Sequence, residues 1–275
     1  MDSQTLPDDW VPRYLRLLGA EREAPSLAAL THLTRAQILT VPFGNITSLL
    51  RYREHGSDVP ALDFDGLLRQ WERHEGSAVC FEGTEAFGQL LTQLGYDARP
   101  VPGLIGGFMG GHQALLVTLA GARYLVDVAN GAPLFDPIPL GEPVEVRHAG
   151  LAYRFLPGEQ AGEYLQERWI APEWASFCRY ELREQEAEER EGYYRRHHVP
   201  RESCVVELLR LVRATPERVI SLRGSDLTVF TAAGKQSERL TAHADYERAV
   251  RDVFGLPKLP IIEALRVIEG LDDMP

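Results

Sequence analysis

The 275-residue chain contains little cysteine, and the three that it has are an odd number. Such sparse use is typical of proteins that fold in a reducing compartment. The first nine residues include neither a basic region nor an apolar run, so the sequence predicts no secretory signal. No stretch approaches the roughly 20 apolar residues that a membrane-spanning helix needs. Together these absences predict a cytoplasmic protein with no membrane partner.

Positive charge is also scarce. The chain has 29 Lys and Arg against 40 Asp and Glu, which gives a formal net charge of −11. This excess of acid argues against nucleic acid or an anionic membrane as a partner. The hydrophobic content of 44% and the charged content of 25% are those of an ordinary globular protein. A chain of this length can form two or three modest domains, each with its own core.

Two features that invite a ligand-binding interpretation lack the residues to support it. The glycine-rich segment 102–111 has neither the Lys nor the Ser/Thr of a phosphate-binding loop. We predict instead a mobile loop beside the functional site, of the kind that controls substrate access. His197 and His198 are adjacent, but neighbouring side chains point apart and no further ligands lie nearby in the sequence. The sequence therefore predicts no metal and no permanently bound cofactor.

What the chain does have is a cysteine where a helix begins. From Cys80 onward apolar residues recur every three or four positions, which predicts an amphipathic helix that ends at Gly95, with Ser77 as its N-cap. The unpaired N–H groups and the positive end of the helix dipole favour a thiolate there. A lone cysteine is more often a packed apolar residue, and that is our interpretation of Cys178 and Cys204.

Two alternating runs, 112–119 and 123–128, surround Gly121 and predict a β-hairpin. A connecting loop of two or four residues keeps the apolar side chains on one face and places His112 and Asp127 on the other. In that register Asp127 lies one diagonal step from His112, within reach of a hydrogen bond. A cysteine, a histidine and an aspartate then supply the attacking group, the base and the orienting acid of a catalytic triad.

The order Cys80, His112, Asp127, with Cys-Phe-Glu and Tyr-Leu-Val-Asp-Val around them, resembles the arylamine N-acetyltransferase family. The resemblance covers nearly the whole chain. Residues 41–46, Val-Pro-Phe-Gly-Asn-Ile, are similar to the family's Ile-Pro-Phe-Glu-Asn signature, and residues 126–131 to its Val-Asp-Val-Gly-Phe-Gly segment. The resemblance implies transfer of an acyl group from a thioester, acetyl-CoA by default, to an arylamine or hydrazine.

We predict an α+β fold in three parts. Residues 1–95 form an N-terminal helical bundle that carries the nucleophile, and residues 96–190 form an antiparallel β-barrel that carries His112 and Asp127. Residues 191–275 form a linker and a C-terminal α/β lid. The triad would be arranged as in cysteine-protease and transglutaminase-like folds.

The chain departs from the family pattern near the predicted site. Gly44 and Gly76 replace a Glu and an Arg that are expected to form a bracing ion pair, and losing both is coherent because a lone buried charge is costly. Thr84 replaces an Asn. Asn130 replaces an aromatic residue that lines the acceptor pocket of the family. We expect a roomier pocket and a larger or more polar substrate.

The predicted reaction has two steps, in which Cys80 takes the acyl group from a thioester donor and an amine then takes it from Cys80. The residues predicted to bind substrate are Phe43, Gly44, Val79, Phe81, Phe108, Gly111, Asn130 and Gly131. The main alternative is an enzyme that releases or cyclises a polyketide or peptide held as a thioester on a carrier protein, by forming an amide or by a Dieckmann-type closure. Hydrolysis and a non-catalytic binding role are the remaining alternatives.

Overall fold

The computed structural model describes residues 6–203 and 205–272, so the prediction for Cys204 lies outside the described residues. Five helices occupy the N-terminal third, as predicted: α1 (Trp10–Leu18), α2 (Leu27–Thr40), α3 (Ile46–His55), α4 (Phe64–Glu72) and α5 (Cys80–Gln93). Side chains cap two of them. Ser26 Oγ accepts the Ala29 N–H of α2 at 3.1 Å, and Asp63 Oδ1 accepts the Gly66 N–H of α4 at 2.9 Å. Within the described ranges no helix is both long and apolar enough to cross a membrane.

An eight-stranded antiparallel sheet follows the helices and curves into a nearly closed barrel. Its strands are paired in the order β5-β4-β3-β2-β9-β8-β7-β6. Their bounds are β2 (Asp97–Ile105), β3 (Phe108–Leu119), β4 (Ala122–Val126), β5 (Ile138–Pro139), β6 (Val144–His148), β7 (Leu151–Pro157), β8 (Glu163–Ile170) and β9 (Glu173–Glu181). Helix α5 packs against β2 and β3, so the start of α5 lies beside the two barrel strands that lead to the functional site.

The glycine-rich segment is part of this barrel. It lies beside the functional site as predicted, but it is not the predicted loop, because Leu104 pairs with Met109 and Ile105 with Phe108 around a two-residue turn. Gly106 and Gly107 make the turn, and their φ angles of 65° and 92° are the positive values that a tight hairpin of this kind requires. The register then shifts between Gly103 and Leu104, which leaves a bulge in β3 just before His112.

The C-terminal part is a five-stranded sheet covered by helices, close to the predicted α/β lid. Helix α6 (Ala187–Arg196) leads into strands β10 (Arg210–Ala214), β11 (Arg218–Arg223), β12 (Asp226–Thr231) and β13 (Gly234–Arg239). Helix α7 (His243–Arg248), a π-helical turn (Ala249–Val253) and helix α8 (Ile261–Asp272) complete the chain. The first strand of the sheet comes from the N-terminal part: β1 (Phe43–Gly44) pairs antiparallel with β10.

Helix α6 is held against the bulge of β3. An added Cβ at Gly110 would lie 2.3 Å from the ring of Tyr193, and the φ of Gly110 is 78°. The neighbouring His197 is buried, and its Nε2 bonds to the Gly110 carbonyl oxygen at 2.9 Å. The end of α6 and the residue that follows it are therefore part of the packed structure beside the β3 bulge.

We predict that Gly110→Ala lowers the free energy of unfolding by about 1–3 kcal/mol, since overpacking against Tyr193 adds to the strain of a positive φ. Urea unfolding curves of the variant and the wild type measure the change. Gly162→Ala is the matched control, because Gly162 also has a positive φ of 87° but has nothing within 4 Å of an added Cβ. Equal destabilisation by the two substitutions would show that the Tyr193 contact contributes nothing.

Candidate active site

The backbone before Cys80 is fixed by strand β1. The Gly44 N–H donates to the Ala78 carbonyl oxygen at 3.0 Å, and the Ala78 N–H donates to the Pro42 carbonyl oxygen at 3.0 Å. Ser77 does not cap α5 as predicted, because its Oγ donates to the Gly44 carbonyl oxygen at 3.0 Å. Val79 is the N-cap. These bonds place Cys80 as the first residue of α5 at a defined position relative to the C-terminal sheet.

A buried ion pair supports the first turn of α5. Glu82 is fully buried, and its carboxylate accepts from Arg51 Nη1 at 2.8 Å, from Ser48 Oγ at 3.1 Å and from the Val79 N–H at 3.1 Å. Burial raises the pKa of Glu82, and the positive charge of Arg51 opposes that shift. Arg51 also bonds to Tyr194 Oη at 2.6 Å. A charged brace is therefore present beside the cysteine, formed by residues other than the pair that Gly44 and Gly76 replace.

Gly44 and Gly76 do not open space beside Cys80, contrary to the expectation of a roomier pocket. An added Cβ at Gly44 would lie 2.8 Å from the Arg210 carbonyl oxygen, since β1 is paired closely with β10. An added Cβ at Gly76 would lie 3.0 Å from Cβ of Gln70 and 3.1 Å from Cδ1 of Trp71. Both glycines are needed for close packing in this chain.

The predicted hairpin is confirmed, including its register. A two-residue turn, Ala120–Gly121, connects β3 to β4, with Leu119 opposite Ala122 and Leu115 opposite Val126. The same register, continued by one residue, places Asp127 on the face of the hairpin that carries His112. His112 Nε2 lies 2.7 Å from Asp127 Oδ2. Both side chains are almost completely buried.

Three donors converge on one oxygen of Asp127. Besides His112, the Asn130 amide donates to Oδ2 at 2.8 Å and the Tyr180 hydroxyl donates to it at 2.8 Å. Gln166 Oε1 in turn accepts from the Asn130 amide at 3.0 Å, and it lies 2.7 Å from the Tyr180 hydroxyl oxygen, whose single proton goes to Asp127. A buried carboxylate that is bonded in this way is held in a fixed orientation. The other oxygen, Oδ1, is buried and has no bonding partner among the described residues.

The charge of Asp127 controls the protonation of His112. Burial lowers the pKa of His112, but the charge and the hydrogen bond of Asp127, together with a bond to the Cys80 side chain, outweigh it and raise the pKa to about 10. His112 is therefore protonated at neutral pH. Since Nε2 is engaged by Asp127, Nδ1 is the nitrogen that faces the sulfur. The three side chains form a connected chain of polar contacts from the barrel to the start of α5.

Cys80 and His112 lie on the wall of a cavity of about 340 Å³ between the barrel and the C-terminal sheet. Five of the eight predicted substrate-binding residues line it: Phe43, Val79, Phe108, Gly111 and Asn130. Gly131 lines an adjoining chamber, whereas Gly44 is covered by β10. Phe81 faces the core because it follows Cys80 by one helical position, and its ring packs edge-on against His197 at 4.8 Å between centroids.

The structure also includes site residues that sequence reasoning missed. Tyr180 and Gln166 contact the Asp127 network, but neither belongs to a recognisable motif. His197 is buried next to Phe81 and Phe108, and burial lowers its pKa to about 4, so it is neutral at physiological pH. Among residues 6–203 and 205–272, no group of three or more His, Cys, Asp and Glu side chains is placed to hold a metal ion.

Several solved structures have the same architecture. The arylamine N-acetyltransferase from Mycobacterium abscessus aligns with a TM-score of 0.81 at 21% identity, covering 98% of this chain and 100% of that chain. The Mycobacterium marinum arylamine N-acetyltransferase in complex with CoA aligns with a TM-score of 0.78 at 19% identity, covering 94% and 98%. At these identities the likeness demonstrates a shared fold.

Sequence comparison adds two findings. A curated relative named proansamycin X synthase, from Amycolatopsis mediterranei (strain S699), is 28% identical over 173 residues, which is 60% of this chain and 65% of that protein. The match therefore spans slightly less than two thirds of that relative. A family model described as N-acetyltransferase matches residues 26–259. Since this match covers most of the chain, and the fold agrees with it, the chain belongs to the N-acetyltransferase family of enzymes.

Proposed function

We propose that this enzyme transfers an acyl group from a thioester to an amine through an acyl-cysteine intermediate on Cys80. The observation that carries the proposal is the placement of Cys80 at the start of α5, on a cavity wall, in contact with a His112 that is bonded to Asp127. An attacking sulfur, an imidazole and an orienting carboxylate are the groups that covalent acyl transfer needs. The helical part supplies the nucleophile, and the barrel supplies the other two.

In the first step the Cys80 sulfur attacks the thioester carbonyl carbon, with its proton held by His112 Nδ1. Backbone N–H groups at the start of α5 are positioned by the helix to stabilise the oxyanion that forms. The C–S bond to the donor then breaks, and the departing thiolate takes the proton from His112. One thioester is exchanged for another, so the step is close to balanced in energy.

In the second step an amine attacks the acyl carbon on Cys80. His112 accepts a proton from the amine nitrogen, and the C–S bond breaks to release the amide and return Cys80 as a thiolate beside protonated His112. Asp127 remains ionised throughout and keeps Nε2 protonated, so that Nδ1 exchanges protons with the reacting groups. Donor and acceptor use the same cavity in turn, which is a ping-pong mechanism.

Acetyl-CoA is the proposed default donor, and an arylamine or hydrazine the default acceptor. The CoA complex of the M. marinum enzyme, which shares this fold, supports a CoA thioester as donor. The cavity residues Phe43, Val79, Phe108 and Gly111 are the proposed contacts for the acyl and acceptor groups, without a metal or bound cofactor.

A second candidate function is release or cyclisation of a chain held as a thioester on a carrier protein. The specific observation in its favour is the 28% identity to a protein whose name describes the making of proansamycin X and not N-acetylation. Both candidates use Cys80, His112 and Asp127 in the same roles. They differ in whether the amine belongs to a second molecule or to the acyl chain itself.

Incubation of the protein with acetyl-CoA, followed by mass spectrometry of its peptides, tests the proposal. We expect the acetyl group on Cys80, and we expect Cys80→Ala to abolish it. Cys178→Ala is the control, because Cys178 is buried and burial raises its pKa well above the usual value. Acylation at another cysteine, with Cys80→Ala still active, would remove Cys80 from the proposed role.

Asn130 is proposed to hold Asp127, since its amide donates to Oδ2 and is turned away from the role of an acceptor-stacking group. A hydrogen bond to a charged group contributes about 1.5–3 kcal/mol, so Asn130→Ala should slow acylation of Cys80 by roughly tenfold to a hundredfold. Asp127→Asn should slow it by about 10⁴-fold, by analogy with serine triads.

A variant that combines Asn130→Ala with Asp127→Asn tests whether Asn130 acts by holding Asp127 or by shaping the acceptor pocket. If Asn130 acts through Asp127, adding Asn130→Ala to Asp127→Asn should change the single-turnover acylation rate little further. Asn130→Phe should likewise slow acetylation of arylamines, because it removes the amide. Faster arylamine acetylation by Asn130→Phe would show instead that this position only shapes the acceptor pocket.

The raised pKa of His112 predicts how stability depends on pH. Its folded-state pKa of about 10 lies above the usual 6.5, so the stabilisation is fully present below pH 6.5 and is lost as pH rises through about 10. We expect the difference in unfolding free energy between wild type and His112→Gln to shrink from pH 6 to pH 10.5, as measured by urea titration. A difference that stays constant over this range would contradict the charged His112–Asp127 pair.

A further inference from the structure

A second chamber of about 360 Å³ adjoins the cavity that contains Cys80. The two share five lining residues: Phe43, Ile105, Asn130, Phe177 and Arg210. The second chamber then continues between β8 of the barrel and strands β10 and β11 of the C-terminal sheet. A ligand attached to Cys80 can therefore extend past Phe43 and Asn130 into this space.

The charge of the second chamber is opposite to that of the protein. Of the described residues that line it, Arg168, Arg210 and Arg223 are basic and none is Asp or Glu, in a chain whose net charge is −11. The cavity at Cys80 differs, because its two arginines, Arg201 and Arg210, are balanced by Glu202 and Glu207. A local excess of three positive charges on so acidic a protein indicates a place where an anion binds.

These arginines are free to bind a ligand. Within the described ranges none of the three forms an ion pair, and Nε of Arg210 is buried without a hydrogen-bond partner. Arg168 lies 5.6 Å from the centroid of the Phe177 ring, a cation–π contact that leaves its N–H groups unused. A planar guanidinium with free N–H groups matches the two oxygens of a carboxylate.

Besides the arginines and the polar side chains of Asn130, Tyr153 and Ser221, the walls carry several apolar and aromatic side chains. They include Leu151, Ala152, Val212, Val219 and Phe230. Such walls suit the hydrocarbon of an acyl chain, and they would strip water from a heavily hydrated pyrophosphate without replacing its hydrogen bonds. The chamber therefore matches an acyl group that is apolar along its length and negatively charged at its end.

We propose that the second chamber binds the distal carboxylate of a long acyl group whose other end is the thioester attacked by Cys80. This inference rests on the proposed acyl transfer and specifies its substrate: an acyl chain much longer than acetyl, ending in a carboxylate held by Arg168, Arg210 and Arg223. The thioester carbon is the only reacting centre, and the carboxylate is bound without chemical change.

Thioesters of N-acetylcysteamine test the inference, because this thiol has no phosphate. The 7-carboxyheptanoyl and octanoyl thioesters have equal chain length and differ by the terminal carboxylate, and succinyl and 11-carboxyundecanoyl thioesters bracket that length. We expect kcat/KM for acylation of Cys80 to be about tenfold to a hundredfold higher with the carboxylate than with the neutral chain, at a length that reaches the arginines. The succinyl chain is too short to reach the arginines, so its carboxylate should not raise kcat/KM.

Arg168→Gln and Arg223→Gln should each reduce this preference, the double variant should reduce it further, and a triple variant that adds Arg210→Gln should reduce it to near one. Arg239→Gln is the matched control, since it removes the same charge from the edge strand β13, away from the chamber, and should keep the preference. Calorimetric titration of Cys80→Ala with the same thioesters measures binding independently of acylation, and it should show the same order of affinity.

No carboxylate preference at any chain length, in binding and in rate, would overturn the inference while leaving acyl transfer intact. A loss of activity in the arginine variants that is seen with CoA thioesters only would also overturn it, because the arginines would then bind the phosphates of the donor. If no thioester acylates Cys80 but the titration still shows arginine-dependent carboxylate binding, the proposed function fails and the chamber assignment stands.

Discussion

The site depends on the position and charge of one buried carboxylate. Asp127 lies in the barrel wall with almost no exposure, and three donors hold its Oδ2 oxygen. Burial lowers the pKa of His112, but the charge and hydrogen bond of Asp127, with a smaller contribution from Cys80, outweigh it and raise that pKa. His197 is equally buried but bonds to a backbone carbonyl oxygen, and burial lowers its pKa to about 4. The difference between these two buried histidines follows from the partners of His112.

The buried ion pair between Glu82 and Arg51 has a structural role. Glu82 and Arg51 are far apart in sequence, and their bond joins α3 to the first turn of α5. Removing one partner would leave an uncompensated charge in the core, which costs far more than the intact pair contributes. The chain thus keeps a charged support beside its cysteine with a different pair of positions from the one that the family resemblance implied.

Much of the site could be predicted from local sequence patterns. The helix at Cys80 followed from apolar spacing, and the alignment of His112 with Asp127 followed from the length of one turn, because strand residues alternate strictly between faces. Tyr180 and Gln166 could not be predicted in this way, since the contact of Tyr180 with Asp127 and those of Gln166 with Tyr180 and Asn130 depend on strands β8 and β9, which are distant in sequence. Asn130 was identified as a site residue, but its partner depends on the rotation of one side chain. The glycines of segment 102–111 indicated flexibility, whereas the structure uses them where positive φ angles and close packing are required.

Strand β1 has a consequence for how the site responds to a ligand. Phe43 and Gly44 pair with β10 on one side and contact the backbone of Ala78 on the other, so the backbone before Cys80 is tied to the C-terminal sheet. His112 and Asp127 belong to the barrel, against which α5 also packs. The alignment of sulfur and imidazole therefore depends on contacts among the C-terminal sheet, the helix and the barrel together. A ligand in the cavity between the barrel and the C-terminal sheet touches Phe43 of β1 as well as His112, so it contacts elements that position each of the two reacting groups.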